Sequence, residues 1–249
     1  MSERRERTTG EEAGDGLRLV LDRETLRAGA LQHHLRARAA GMELWSEERI
    51  RRSLTETLAA RPEPGGDVWL FAYGSLIWNP TIHFAEMRIA LLRGYHRRFC
   101  LRTVLGRGCC ERPGLMLGLD HGGSCRGVAY RLPAASAEEE LLLVWRREMV
   151  AGAYRPRWLR ARSGEGPLTV LAFTIERRHE RYCPRLSEEE RIAMLATARG
   201  PLGRASDYLF DTAHHLAELG IPDRQLERLC EAVRAYQERL RGEPNVDRR

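Results

Sequence analysis

The sequence predicts an α+β fold: a small, mixed, mostly closed β-barrel-like sheet packed by helices. Three observations carry this. Apolar runs of strand length crowd the stretch from Val68 to Ile175, most of them separated by Gly or Pro. Strand patterns are grouped first and helical patterns late, whereas a doubly wound sheet would alternate them. The 249 residues, 43% of them hydrophobic, suffice for one large domain or two small ones with a proper core.

Taken in order, residues 1–18 are charged and Gly-rich, the composition of a disordered tail. A helical pattern runs from about Arg23 to Arg38. Another begins near Ser46 and sets Ile50, Leu54 and Leu58 on one face. Arg61-Pro62-Glu63-Pro64-Gly65-Gly66 reads as a linker, so residues 19–66 form a helical extension ahead of a domain over 67–240, with 241–249 as a tail. The domain opens on a buried strand, Val68-Trp69-Leu70-Phe71. Further strands are expected at Met87–Arg93, Gly94–Leu101, Leu115–Leu119, Gly127–Leu132, Arg157–Ala161 and Leu168–Ile175. Ser136 with Glu139 reads as a capping box opening a helix to Met149. Ser187 with Glu190 repeats the signature before a helix that stops at Gly200-Pro201. Ser206–Gly220 and Pro222–Leu240 read as two closing helices, and no internal repeat is visible.

Composition removes several function classes. No apolar run approaches the roughly 18 residues of a membrane span. Met1 to Gly16 lacks the apolar segment of a signal peptide, so a cytoplasmic protein is expected. The chain has no lysine. All 41 basic residues are arginine, which excludes Schiff-base, pyridoxal and P-loop lysine chemistry. The six cysteines form no C-x-x-C pair, and the adjacent Cys109 and Cys110 suit a simple structural disulfide poorly, so reduced thiols are expected. The pairs His33-His34 and His214-His215 lack metal-ligand spacing. The net charge of +6 comes from arginines interleaved with glutamates, without a nucleic-acid motif, so no nucleic-acid partner is expected.

Two features carry chemistry. The loop after the first strand, Ala72-Tyr73-Gly74-Ser75-Leu76, places glycine where the chain leaves a buried strand. Such a turn can aim successive backbone N–H groups into one concavity that binds a carboxylate or a developing oxyanion. In the helix from Ser136, Leu141, Val144, Trp145 and Glu148 fall at i, i+3, i+4 and i+7. This puts Glu148 on the apolar stripe and turns Arg146 and Arg147 away from it. Burial and the helix C-terminus both raise the pKa of such a carboxylate, as proton transfer near neutrality requires. The plain alternative is a buried ion pair with one of the arginines.

Together and in this order, the blocks resemble the ChaC branch of the γ-glutamylcyclotransferases. The matching residues are Phe71-Ala72-Tyr73-Gly74-Ser75-Leu76-Ile77-Trp78; Arg93-Gly94-Tyr95 with Arg97-Arg98-Phe99; Arg112-Pro113-Gly114-Leu115; and Gly127-Val128-Ala129-Tyr130. Trp145-Arg146-Arg147-Glu148-Met149 with Gly152-Ala153-Tyr154 is the most telling, and Ser206-Asp207-Tyr208-Leu209 completes the set, so the resemblance runs from about 67 to 240. Two departures stand out: Ala72 where many ChaC proteins carry Gly, and Cys109-Cys110 where a Thr-Pro-like pair is expected.

The resemblance implies a γ-glutamyl peptide as substrate, chiefly reduced glutathione, cyclised internally to 5-oxoproline with release of cysteinylglycine. It implies Glu148 as acid/base residue and Phe71, Ala72, Tyr73, Gly74, Ser75, Leu76 and Tyr208 as substrate-binding residues. It implies no metal, nucleotide or redox cofactor, and it leaves the oligomeric state open. Tyr208 either hydrogen-bonds in the pocket or is a core tyrosine. Arg97 and Arg98 either meet the acidic ends of the tripeptide or lie solvated. A cyclotransferase for another γ-glutamyl amine or peptide shares the same residues, and a non-catalytic binding module is the alternative from a different class.

Overall fold

A computed structural model describes residues 20–38 and 42–242. The tails expected at 1–18 and 241–249 lie outside these residues, save Arg241 and Gly242 at the end of the last helix.

Five strands close a barrel in the order β1-β3-β2-β4-β5: β1 (Val68–Ala72), β2 (Glu86–Thr103), β3 (Gly114–Leu132), β4 (Tyr154–Ser163) and β5 (Gly166–Ile175). Every neighbouring pair is antiparallel except β1–β5, which runs parallel and shuts the ring, so the sheet is mixed and closed as expected. Closure leaves no long unpaired edge. Among the described residues, seven helices pack around the barrel, and β6 (Arg199–Gly200) pairs with β7 (Gly203–Arg204) in a two-stranded turn.

The strand count differs from expectation for one physical reason. The breaks expected before Gly94 and over residues 120–126 are not breaks. Arg93 pairs with Ser124 and Tyr95 with His121, so Gly94 faces Gly122-Gly123 across a continuous ribbon. All three glycines have positive φ (83°, 102° and 66°), and both strands bend at the same point without ending. Four expected strands are thus two long ones.

The helical extension comprises α1 (Arg23–Arg27), α2 (Ala30–Arg38) and α3 (Glu47–Ala59). The single helix expected over Arg23–Arg38 is interrupted at Ala28-Gly29, where Gly29 takes φ 67°. Ser46 caps α3 by accepting from the Arg49 N–H at 3.1 Å, and Ile50 and Leu54 are buried. The Pro/Gly linker does not separate this extension from the domain. Trp145 of α4 (Ala137–Glu148) donates to Ser53 Oγ and meets Phe173 edge-on at 4.9 Å, tying α3, α4 and β5 together. Arg23 binds Glu140 of α4 through two hydrogen bonds, and Gln32 donates to the Arg146 carbonyl.

Ser187 and Glu190 form the expected capping box at the start of α5 (Glu188–Thr197). Ser136 makes no side-chain cap on α4, because its backbone is not extended (φ −121°, ψ −4°), and Glu139 pairs with Arg27 instead. The closing helices are α6 (Ala205–Glu218) and α7 (Arg224–Gly242).

Candidate active site

One end of the barrel opens on a cavity of about 460 Å³, within the usual range for small-ligand pockets. Among the predicted site residues, Phe71, Tyr73, Gly74, Ser75, Leu76, Glu148 and Tyr208 all border it. Ala72 does not; it is fully buried inside β1.

The loop after β1 is held from several sides. Ile77 N–H bonds the Gly74 carbonyl at 2.9 Å and Asn79 N–H the Ser75 carbonyl at 2.8 Å, closing successive turns. The Tyr130 hydroxyl reaches the carbonyls of Leu76 and Ile77, each at 3.2 Å, and Tyr73 donates to the Phe173 carbonyl at 2.9 Å. Among the described residues, no acceptor is recorded for the N–H groups of Gly74, Ser75 and Leu76, which leaves a set of donors at the cavity. Glycine at 74 is required by space, not by backbone angle. A Cβ there would lie 2.9 Å from Tyr208 Oη, while its φ is not positive.

Glu148 ends α4, with Leu141, Val144 and Trp145 of its stripe fully buried beneath it. Its side chain is 17% exposed and borders the cavity. Burial pushes its carboxyl pKa above the ordinary 4.5; the Arg147 guanidinium, 3.1 Å from Oε1, opposes the rise without cancelling it. The buried hydroxyls of Tyr73, Tyr154 and Tyr208 are raised first by burial and further by nearby charge, that of Glu148 included. They remain protonated donors near neutrality.

Arg147 does not turn away. It is buried, donating from Nη1 to the Asn79 carbonyl at 2.6 Å and from Nη2 to Ser75 Oγ at 2.7 Å. It thereby joins the glutamate to the binding loop. Asn79 in turn donates from Nδ2 to the Leu21 carbonyl at 2.7 Å, so the extension completes the chain of contacts. The ion pair offered as the plain alternative for Glu148 is present, and it sits at the cavity.

Arg97 and Arg98 are not brought to the site. Arg97 is buried against Cys125, the Arg126 carbonyl and Asp223, while Arg98 reaches the Pro184 carbonyl and Asp120. The arginines that border the cavity are Arg107, Arg147 and Arg181. They come from α4 and from two loops far apart in sequence, with no spacing signal to link them. Cys109 and Cys110 lie in the loop after β2; Cys109 N–H bonds the Arg112 carbonyl at 3.0 Å, and all six cysteines are free. Tyr208 is both things the sequence allowed. It is a core residue, edge-on to Phe99 at 5.7 Å, and its hydroxyl shares a hydrogen bond with Ser75 at the cavity.

The closed barrel thus sets a carboxylate of raised pKa beside a turn whose N–H groups border the same cavity, the parts an acid/base site requires. A family model described as ChaC-like protein matches residues 68–236. The glutathione-specific γ-glutamylcyclotransferase of Escherichia coli is 43% identical over 192 residues, 77% of this chain and 83% of that one. Glutathione-specific γ-glutamylcyclotransferase 1 of Homo sapiens is 31% identical over 70% of this chain and 82% of that protein. In fold, the crystal structure of a yeast γ-glutamylcyclotransferase specific to glutathione superposes with TM-score 0.65 at 21% identity, over 70% of this chain and 99% of its own. The chain belongs to the ChaC family.

Proposed function

We propose that this protein cleaves glutathione by intramolecular cyclisation, releasing 5-oxoproline and cysteinylglycine. The observation that carries this is the placing of Glu148, its pKa raised by burial, in one cavity with the donor turn at Tyr73–Leu76. Family membership and the named activity of the relatives supply the substrate.

The α-amine of the γ-glutamyl group attacks its own γ-carbonyl. Nucleophile and electrophile belong to one molecule, so the protein has mainly to hold a folded conformer. The amine arrives as ammonium, and Glu148 takes its proton. The C–N bond of the lactam forms, the oxyanion is met by N–H donors of the turn, and Glu148 returns the first proton to the departing nitrogen as the old amide bond breaks; the second proton of the attacking nitrogen passes to the same amine, which leaves as ammonium. No water is consumed. Arg147 keeps Glu148 ionisable despite burial and aligns it through Ser75 and Asn79. Ser75 Oγ accepts from Arg147 and shares its other hydrogen bond with a tyrosine, an arrangement that positions a hydroxyl and does not activate a nucleophile.

Incubation with reduced glutathione, followed by chromatography of 5-oxoproline and cysteinylglycine, tests the reading. Glu148→Gln keeps the shape but accepts no proton, so turnover falls at least ~10²-fold while glutathione binding persists. Ser75→Ala retains measurable turnover and traps no covalent adduct. Near-normal turnover in Glu148→Gln removes that residue from the mechanism.

A further inference from the structure

Two cations in the cavity wall are not answered by a carboxylate. Arg107 lies over the rings of Tyr208 (5.3 Å) and Trp78 (5.9 Å) and gives one Nη1 hydrogen bond to the Arg204 carbonyl. Arg181 gives its Nε to the Arg102 carbonyl at 2.7 Å. Neither forms an ion pair among the described residues, and the acids around them, Asp207 and Asp211 near Arg107 and Glu180 near Arg181, act only at a distance. Other arginines nearby are answered directly: Arg147 by Glu148, Arg23 by Glu140, Arg177 by Asp120. A half-buried guanidinium without an anion leaves part of its desolvation uncompensated. Burial depresses the pKa of both, in keeping with that cost. Arg97, by contrast, lies away from the cavity, against the Arg126 carbonyl, Cys125 and Asp223. Arg107 and Arg181 instead border open space.

The two stand in different surroundings. Arg107 rests on Tyr208, whose hydroxyl crowds Gly74, and it feels the charge of Arg147. It therefore belongs to the end where the donor turn and Glu148 lie. Arg181 stands beside Tyr154 and bonds the Arg102 carbonyl at the end of β2. Resting on the cyclotransferase reading above, we propose that Arg181 reads a carboxylate on the leaving group and Arg107 the carboxylate of the γ-glutamyl group. The enzyme then selects γ-glutamyl peptides with a free C-terminal carboxylate over γ-glutamyl amines and peptide esters. Bidentate pairing of guanidinium with carboxylate supplies the discrimination.

The test compares reduced glutathione with its glycyl ethyl ester, which keeps the γ-glutamyl carboxylate and lacks only the distal one. Wild type is expected to favour the acid by at least ~10-fold in kcat/KM, the usual worth of a charged hydrogen bond. Arg181→Gln lowers kcat/KM for glutathione about 10- to 100-fold and brings the acid-to-ester ratio toward one, and Arg181→Lys restores part of the ratio. Arg107→Gln depresses both substrates alike and keeps the ratio. A wild-type ratio near one, or an Arg181→Gln enzyme that keeps the wild-type ratio, overturns the proposal. Should Arg181→Gln fail to fold by circular dichroism, the wild-type and Arg181→Lys ratios decide. Calorimetric binding of acid and ester to Glu148→Gln reads the same preference without turnover. Absence of 5-oxoproline from wild type thus counts against the cyclotransferase reading alone, while the binding ratio still decides the carboxylate assignment.

Discussion

At the scale of single residues, the proposed chemistry turns on the opposition of burial and one cation at Glu148. Burial raises the carboxyl pKa and Arg147 holds it down, so the balance sets the pH at which Glu148 is ionised and able to take a proton. Activity should rise with pH along a limb that lies above 4.5. Arg147→Gln removes the lowering influence and should shift that limb to higher pH, as well as reducing kcat through the lost bonds to Ser75 and Asn79. A pH–rate profile of kcat/KM for both proteins checks this. An unmoved limb would show that Arg147 serves packing alone. Arg147→Lys, which keeps the charge but not the fork, should keep the limb near its original position with kcat still reduced.

At the scale of elements, α4 has two buried faces. Leu141, Val144, Trp145 and Glu148 meet the barrel; Glu140, Leu143 and Arg147 form a second stripe against the extension and the loop at 79–83. The charged ends of the second stripe are each paired, Glu140 with Arg23 and with the His83 N–H at 2.9 Å. Arg23 also reaches the carbonyl of Thr81, whose φ of 56° is uncommon for a β-branched residue and is held by its surroundings. Arg23→Ala strands Glu140, which is 5% exposed, and should cost about 1–3 kcal/mol. Because the extension lines the cavity at Leu21, Leu31 and Leu35, the same change should raise KM for glutathione. Thermal melts and steady-state kinetics measure the two effects. A wild-type melting temperature would mean that the clamp carries no load, and deleting only residues 1–18 should leave turnover intact.

For the whole molecule, titration of the buried carboxyls divides into two signs. Asp120, 1% exposed, is raised by burial but more than compensated by Tyr182, Arg177 and the His121 N–H, so its pKa lies below the usual 3.8. It stabilises the fold above that value and ceases to as pH falls through its lowered pKa. Glu148 has the opposite sign. Its folded pKa exceeds 4.5, so its contribution is full below 4.5 and is lost as pH rises through the raised value. Glu148→Gln cannot ionise and escapes that loss. Its melting temperature should gain on wild type as pH is raised from below 4.5 toward neutrality, read by calorimetry across that range. A difference that does not vary with pH would mean Glu148 titrates alike folded and unfolded.

What the sequence determined by itself was local and periodic. The i, i+3, i+4, i+7 spacing placed Glu148 on a buried stripe, the capping box placed α5, and alternating apolar runs with Gly marked where strands lie, because each depends on neighbours along one element. What only the tertiary structure decided was which elements face each other. Gly94 reads as a strand end until it is seen opposite Gly122-Gly123, where paired bends keep one ribbon whole. Arg147 reads as solvent-facing until the loop at Asn79 and the extension close over α4 and give its charge three partners. Arg107 and Arg181 enter the cavity from loops more than seventy residues apart, and a guanidinium has no periodicity to announce which surface the fold will turn inward.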